Sequence, residues 1–274
     1  MIVVRRCAPS LYQTVGGHSV VDQKTQPMKT KKLLLVALLA MPLQHFAQTV
    51  IDKSLPVQGG QKVVMHFDYP ELIQISTWDG NEISIKGSVS INGGENDDAF
   101  EIVTTTNGNT ISIRNEIKDF KNLPHRITIV DGAKTILLKD KEELKKYQAE
   151  HGRGEFERMS WGVDMDIKIE IKIPRNMDTC VKSVYGMVEV HDFVGPLTVV
   201  STYGGVDVSL HERATGEITA ETNYGEIYSN LETRFDGDSR EDEAFHIFVQ
   251  AKPGNGPRYS LESKYGNVYI RKAK

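Results

Sequence analysis

Cysteine is nearly absent: Cys7 and Cys180 are the only thiols among 274 residues, so a disulfide framework cannot hold this fold together. Aromatics (8%) and proline (10 residues) are sparse too. No apolar run approaches the ~20 residues that a membrane-spanning helix requires. Charge is balanced, with 33 basic against 37 acidic side chains and no basic stripe, which excludes nucleic acid as the natural partner. Sequence signatures of catalysis are missing as well: there is no G-x-S-x-G, H-E-x-x-H, C-x-x-C, Walker loop or G-x-G-x-x-G. Six histidines follow position 47 (His66, His125, His151, His191, His211, His246), none at i, i+4 or H-x-H spacing, so no zinc site is implied. What is present is 39% hydrophobic residues, enough for a substantial buried core and too many for a disordered chain.

The beginning of the chain reads as an address. Met28 is followed by Lys29, Lys31 and Lys32, an apolar run from Leu33 to Leu43, and then Gln44-His45-Phe46-Ala47-Gln48. A basic region, a short hydrophobic region and a small residue before the cut describe a secretory signal peptide cleaved after Ala47, with residues 1–27 an upstream extension and translation starting at Met28. Residues 48–274 are then one exported β-repeat domain located in the periplasm, on the outer surface or in the medium. Cys180 is its only thiol, and its 27 basic and 36 acidic residues give a net charge of −9.

From Val57 onward the dominant period is two. Val163-Asp164-Met165-Asp166-Ile167-Lys168-Ile169-Glu170-Ile171-Lys172-Ile173 alternates apolar and charged residues without exception and stops at Pro174, which predicts a strand with one buried and one wet face. Asp79-Gly80-Asn81, Asn107-Gly108 and Asp131-Gly132 supply turns. One helix is expected from about Asp140 to Glu150, capped by Asp140, with an apolar face of only Leu144 and Tyr147.

The last third repeats a unit. Ser183-Val184-Tyr185-Gly186, Ser201-Thr202-Tyr203-Gly204, Thr222-Asn223-Tyr224-Gly225 and Ser263-Lys264-Tyr265-Gly266 align without gaps, each followed one residue later by Val or Ile. Units of about twenty residues cannot bury a face alone and must stack on one another. Gly186, Gly204, Gly225 and Gly266 are expected to allow a sharp turn, and parallel stacking would place the tyrosines in a ladder with roughly 4.8 Å steps. Thr77-Trp78-Asp79-Gly80 resembles an earlier copy, and His246 to Ala251 a degenerate one. Insertions are expected near 117–160 and 231–245.

The leader, the Trp78-Asp79-Gly80-Asn81-Glu82-Ile83 segment, the Ile-rich strand ending at Pro174 and the serial Tyr-Gly-x-Val corners resemble the bacterial adhesin-like β-strand-repeat family, a family of unknown function, over about residues 60–115 and 163–272. The leader is similar to those of Bacteroidetes envelope proteins. The resemblance implies an all-β, right-handed parallel β-solenoid outside the cytoplasm, and no catalytic residues.

The functional expectation is accordingly a non-enzymatic, adhesin-like scaffold that contacts envelope or surface proteins, without a cofactor. One alternative is a polysaccharide-binding or polysaccharide-active β-helix, with Tyr185, Tyr203, Tyr224 and Tyr265 offering ring faces to sugars. Another is a periplasmic partner of a membrane regulator. Asp236, Asp238 and Glu241 offer oxygen ligands for Ca²⁺. Asp164 and Asp166 are expected to be solvated, and Ser209, His211 and Glu212 to mark a turn.

Overall fold

Alternation of apolar and polar residues becomes strands along nearly the whole of the computed structural model, which describes residues 48–152, 156–238 and 245–273. The strands before the helix are β1 (Thr49–Pro56), β2 (Lys62–Phe67), β3 (Leu72–Trp78), β4 (Glu82–Ile91), β5 (Phe100–Asn107), β6 (Thr110–Ile117), β7 (Arg126–Asp131) and β8 (Lys134–Leu138). Helix α1 (Lys141–His151) follows, then β9 (Arg158–Gly162), β10 (Met165–Pro174), β11 (Thr179–Ser183), β12 (Met187–Val190), β13 (Leu197–Ser201) and β14 (Val206–Leu210). The chain ends with β15 (Glu217–Thr222), β16 (Ile227–Ser229), β17 (Asp236–Asp238), β18 (Ile247–Ala251), β19 (Arg258–Ser263) and β20 (Val268–Lys272).

Two large sheets share one apolar core. The first runs β1-β4-β10-β3-β12-β14-β20-β16 and the second β17-β18-β15-β19-β13-β11-β2-β6-β5. Inward residues such as Ile73, Val188, Val206 and Val268 from one sheet join Met65, Val181, Val199 and Leu261 from the other in the same buried cluster. Strand β10 shows the logic most clearly: Ile167, Ile169, Ile171 and Ile173 are buried, and each contributes roughly 2–3 kcal/mol by leaving water. Outward, Lys168 pairs with Asp166 at 2.9 Å and Lys172 with Glu170 at 3.2 Å.

Among the described residues the fold is all-β with one short α-helix, and its sheets are mixed rather than wholly parallel. Centres are parallel, as in β11 with β2 and β13, and β12 with β3 and β14. Three edges of the large sheets end in antiparallel pairs, β1 with β4, β5 with β6, and β17 with β18, which itself runs antiparallel to β15; the fourth, β16, is parallel to β20. The chain climbs by pairs of strands, one in each sheet: β2/β3, β11/β12, β13/β14, β15/β16 and β19/β20. These rungs do not stack in chain order. Strand β19 lies between β13 and β15, and β20 between β14 and β16, so the last rung inserts between the two preceding ones. The segment read as a degenerate repeat is β18, which runs antiparallel to β15 and covers its edge instead of adding a parallel rung.

Within 117–160 the structure holds α1 and a separate three-stranded sheet, β8-β7-β9, which the sequence did not announce. Its small core is Ile127, Ile129 and Leu138, against which Leu144 and Tyr147 of α1 pack. Asp140 caps the helix by accepting from the Glu142 and Glu143 amides at 2.8 and 3.0 Å. Turn glycines Gly108 (φ +56°) and Gly132 (φ +57°) sit in the left-handed region, as the Asn-Gly and Asp-Gly pairs require. The expected signal peptide and upstream extension, residues 1–47, lie outside the described residues, as do residues 239–244 of the acidic stretch.

Candidate functional site

The Tyr-Gly corners of all four repeats fall in one column where the chain crosses from one sheet to the other. Backbone bonds between rungs repeat at each level: the amide of Tyr185 donates to Asp68 O (3.2 Å), Tyr203 to Val184 O (2.8 Å), Tyr265 to Thr202 O (2.9 Å) and Tyr224 to Lys264 O (3.1 Å). Those bonds fix the spatial order Tyr185, Tyr203, Tyr265, Tyr224. Ring centroids follow at 5.3, 5.1 and 5.1 Å, with planes inclined by 8–13°. The column is longer than the motif. Tyr69 stacks on Tyr185 at 6.2 Å, Phe120 lies 5.0 Å from Tyr69, and Phe245 closes the other end 5.7 Å from Tyr224.

Tyr69 belongs to the true first repeat, Phe67-Asp68-Tyr69-Pro70, and not to the Trp78 segment. Trp78 is outside the column and donates its indole N–H to Glu82 O at 2.9 Å. Proline in the glycine position hid this copy. The signal that could have found it is the alternation Val63, Met65, Phe67 leading into a tyrosine two residues on.

Glycine is required at these corners for close approach, not for a turn of positive φ. None of Gly186, Gly204, Gly225 and Gly266 has positive φ. A Cβ on Gly186 would lie 1.9 Å from Pro70 O, on Gly204 2.1 Å from Gly186 O, on Gly266 2.2 Å from Gly204 O and on Gly225 2.0 Å from Gly266 O. The Ser/Thr of the motif points inward and serves the same corner. Ser183 Oγ donates to Gly186 O (2.9 Å), Ser263 Oγ to Gly204 O (2.8 Å) and Thr222 Oγ1 to Gly266 O (3.0 Å). Ser263 and Thr222 also accept from the amides of Gly266 and Gly225, each at 3.0 Å. Buried hydroxyls thus satisfy backbone groups that would otherwise be orphaned at three of the crossings, whereas Ser201 Oγ is buried and makes no hydrogen bond among the described residues.

The tyrosines are exposed at 58% (Tyr185), 55% (Tyr203), 43% (Tyr265) and 59% (Tyr224). Since each ring covers its neighbour, the exposure lies at ring edges and hydroxyls. A second aromatic pair stands on the outer face of the first sheet, where Tyr228 stacks on Tyr269 at 5.1 Å. Arg271 lies 5.2 Å over Tyr269 and grips Asp207 through both carboxylate oxygens (2.7–2.9 Å).

Other expected candidates are scattered. Asp236 is on edge strand β17, beside a cleft of about 450 Å³ whose lining includes Arg234 and Lys252, cations that oppose a metal ion there. The Asp238 side chain and Glu241 lie outside the described residues, and among the described residues no three His, Cys, Asp or Glu side chains gather as a metal site. Asp164 accepts from Thr128 Oγ1 (3.1 Å), tying β10 to the small sheet, while Asp166 is held by Lys168. Burial and the nearby Asp166 raise the pKa of Glu71. Glu212 binds both the amide and the hydroxyl of Thr233 (2.9 and 2.8 Å), bonds that lower its pKa and anchor the segment after β16. Ser209 and His211 take no part in that anchor. Among the described residues no helix is long and apolar enough to cross a membrane.

No protein-family model matches the chain, and no curated protein matches it. Among solved structures it is similar to a "putative cell adhesion protein" from Clostridium sporogenes, at 11% identity and a TM-score of 0.42, covering 82% of this chain and all of that one. It is also similar to a "putative adhesin" from Bacteroides fragilis, at 13% identity and a TM-score of 0.21, covering 82% of this chain and 98% of that one. What the fold itself defines is an all-β protein of two mixed sheets around a shared core, with an aromatic column at the crossing.

Proposed function

We propose that this chain is a non-enzymatic, exported β-repeat protein that acts as an adhesin-like interaction scaffold for envelope or surface proteins. Its rungs are read as a short solenoid-like stack within mixed sheets. The carrying observation is the aromatic column, seven rings from Phe120 to Phe245 along one corner. Such a column stiffens the stack and offers neighbouring molecules a row of ring edges and phenol hydroxyls. Tyrosine suits this work because it gives contact area at little entropic cost and keeps a polar handle.

A glycan ligand is the second reading, favoured by the exposure of those hydroxyls. Sugars would meet the column along its edges, since ring-face stacking is open only at its two ends. The test pairs cell fractionation with a glycan array and a pull-down from an envelope fraction, using the purified chain and its Tyr185→Ser/Tyr203→Ser variant. Recovery outside the cytoplasm with capture of envelope proteins, reduced in the variant, supports the scaffold reading. Tyrosine-dependent glycan retention without protein capture selects the second. Recovery in the cytoplasm, or polysaccharide cleavage by the purified chain, refutes the proposal.

A further inference from the structure

The small sheet β8-β7-β9 carries an apolar face that its helix covers incompletely. Cross-strand register places Trp161 opposite Ile127 and Met159 opposite Ile129, so these four side chains share one face. Ile127 and Ile129 are buried against the helix side of the small core, yet Met159 is 57% and Trp161 55% exposed. Among the described residues, strand β9 is also an open edge, paired only with β7.

Three other edges among the described residues are guarded. Strand β1 presents Asp52 and Lys53, and Lys53 Nζ is tied down on Ile102 O at 2.6 Å. Strands β16 and β17 are three residues long. Charge and brevity are how soluble proteins keep sheet edges from recruiting other chains. The centre of β9, Met159-Ser160-Trp161, has neither protection.

The flank of α1 beside Trp161 is basic. Lys141 Nζ lies 6.0 Å from the Trp161 ring centroid, and Lys145, four residues on, continues that flank by one helical turn. Glu143 is engaged elsewhere, accepting from the Lys139 amide at 2.7 Å. Trp161 is also held in place, its indole N–H donating to His125 Nδ1 at 2.9 Å. An immobilised tryptophan, a pliable methionine, a free strand edge and a cationic rim together specify a binding surface.

We propose that the groove between β9 and α1 docks an acidic, extended segment of a partner protein. That segment adds as a fourth strand on β9, seats an apolar side chain on Trp161 and Met159, and sets carboxylates against Lys141 and Lys145. A second copy pairing through its own β9 would bring Arg158, Lys141 and Lys145 to the seam from both sides, like charges that disfavour it, and it stands as an outcome of the test.

The purified chain is titrated against fluorescein-labelled Val-Glu-Val-Glu-Val-Glu-Val and its Glu→Lys counterpart, read by fluorescence anisotropy. The expected result is saturable binding of the acidic peptide alone, weakened as salt rises from about 0.05 to 0.3 M. Trp161→Ala is expected to weaken it at least about tenfold, and Lys141→Glu/Lys145→Glu to transfer preference to the lysine peptide. Met159→Ser gives a second loss-of-contact variant, and unchanged melting of each variant shows that the fold is intact. Lys172→Ala, on the outer face of β10, leaves peptide binding unchanged. Equal affinity for both peptides, no saturation up to about 1 mM, or undiminished binding by both Trp161→Ala and Met159→Ser overturns the proposal. A dimer in sedimentation that Trp161→Ala dissolves assigns the groove to self-association and overturns it too.

Discussion

Replacing Gly204 by alanine tests the packing account of the repeat. The new Cβ would stand 2.1 Å from Gly186 O and 2.4 Å from Gly186 C, backbone atoms that cannot rotate away. Relief requires moving neighbouring rungs apart by about 1 Å, to ordinary carbon–oxygen contact. Three bonds cross that junction: Thr202 N to Ser183 O (2.9 Å), Tyr203 N to Val184 O (2.8 Å) and Val188 N to Gly205 O (3.0 Å). At about 1 kcal/mol net for each bond, and about 0.5–1.5 kcal/mol for the Tyr185–Tyr203 ring contact, the expected loss is about 3–5 kcal/mol. Urea unfolding should show it as a lower midpoint with unchanged slope, and the melting temperature should fall by roughly 6–20 °C for a domain of this size. Gly204→Asn discriminates the cause: asparagine tolerates positive φ, so a turn requirement would spare it, whereas a steric one punishes it as much as alanine. A loss under about 1 kcal/mol in Gly204→Ala, or rescue by asparagine, refutes the reasoning.

Tyr265 sits between Tyr203 and Tyr224 at 5.1 Å from each, so Tyr265→Ala should cost about 1–3 kcal/mol while Tyr265→Phe costs little, as thermal melts would show. Tyr259 donates its hydroxyl to Phe193 O at 2.8 Å, and burial pushes its pKa up to about 12, above the ordinary tyrosine range. The folded state therefore keeps a proton that the unfolded state releases: stability is full below about pH 10 and falls between about pH 10 and 12, by roughly 2–3 kcal/mol. A spectrophotometric titration should find one tyrosine ionising late, absent in Tyr259→Phe. Glu212 has its pKa lowered by the Thr233 amide, so its contribution is present above the ordinary carboxylate range and is lost as pH falls through the depressed value. The protection of the Thr233 amide against hydrogen exchange, taken relative to the intrinsic rate at each pH, should fall on acidification, and Glu212→Gln should weaken that dependence.

Strand positions were legible because a half-buried strand needs a period of two, and the segment that holds β10 displays it over eleven residues from Val163 to Ile173. The corners were legible because each requires the same local solution, a buried hydroxyl, a stacking ring and a residue without Cβ. Their order was not. Every rung presents nearly the same valines to its neighbours, so the sequence carries almost no information about which rung touches which. The offset of 41 residues between Tyr224 and Tyr265 looked like room for a missing unit. The structure uses it for β17 and β18, which turn antiparallel and cover β15, leaving β19 to slip between β13 and β15.

The same asymmetry explains why Tyr69 escaped the motif. In the glycine column each Cβ position faces the carbonyl of the rung before it, and Pro70 supplies the first carbonyl without facing another motif glycine beyond it. A ring carbon is tolerable only at that end of the series, so the first repeat is the one that can abandon glycine. The groove on β9 was illegible for the opposite reason: Met159 and Trp161 alternate with Arg158, Ser160 and Gly162 just as core-facing residues do. Alternation marks an apolar face. Only the placement of α1 shows that this one is left uncovered.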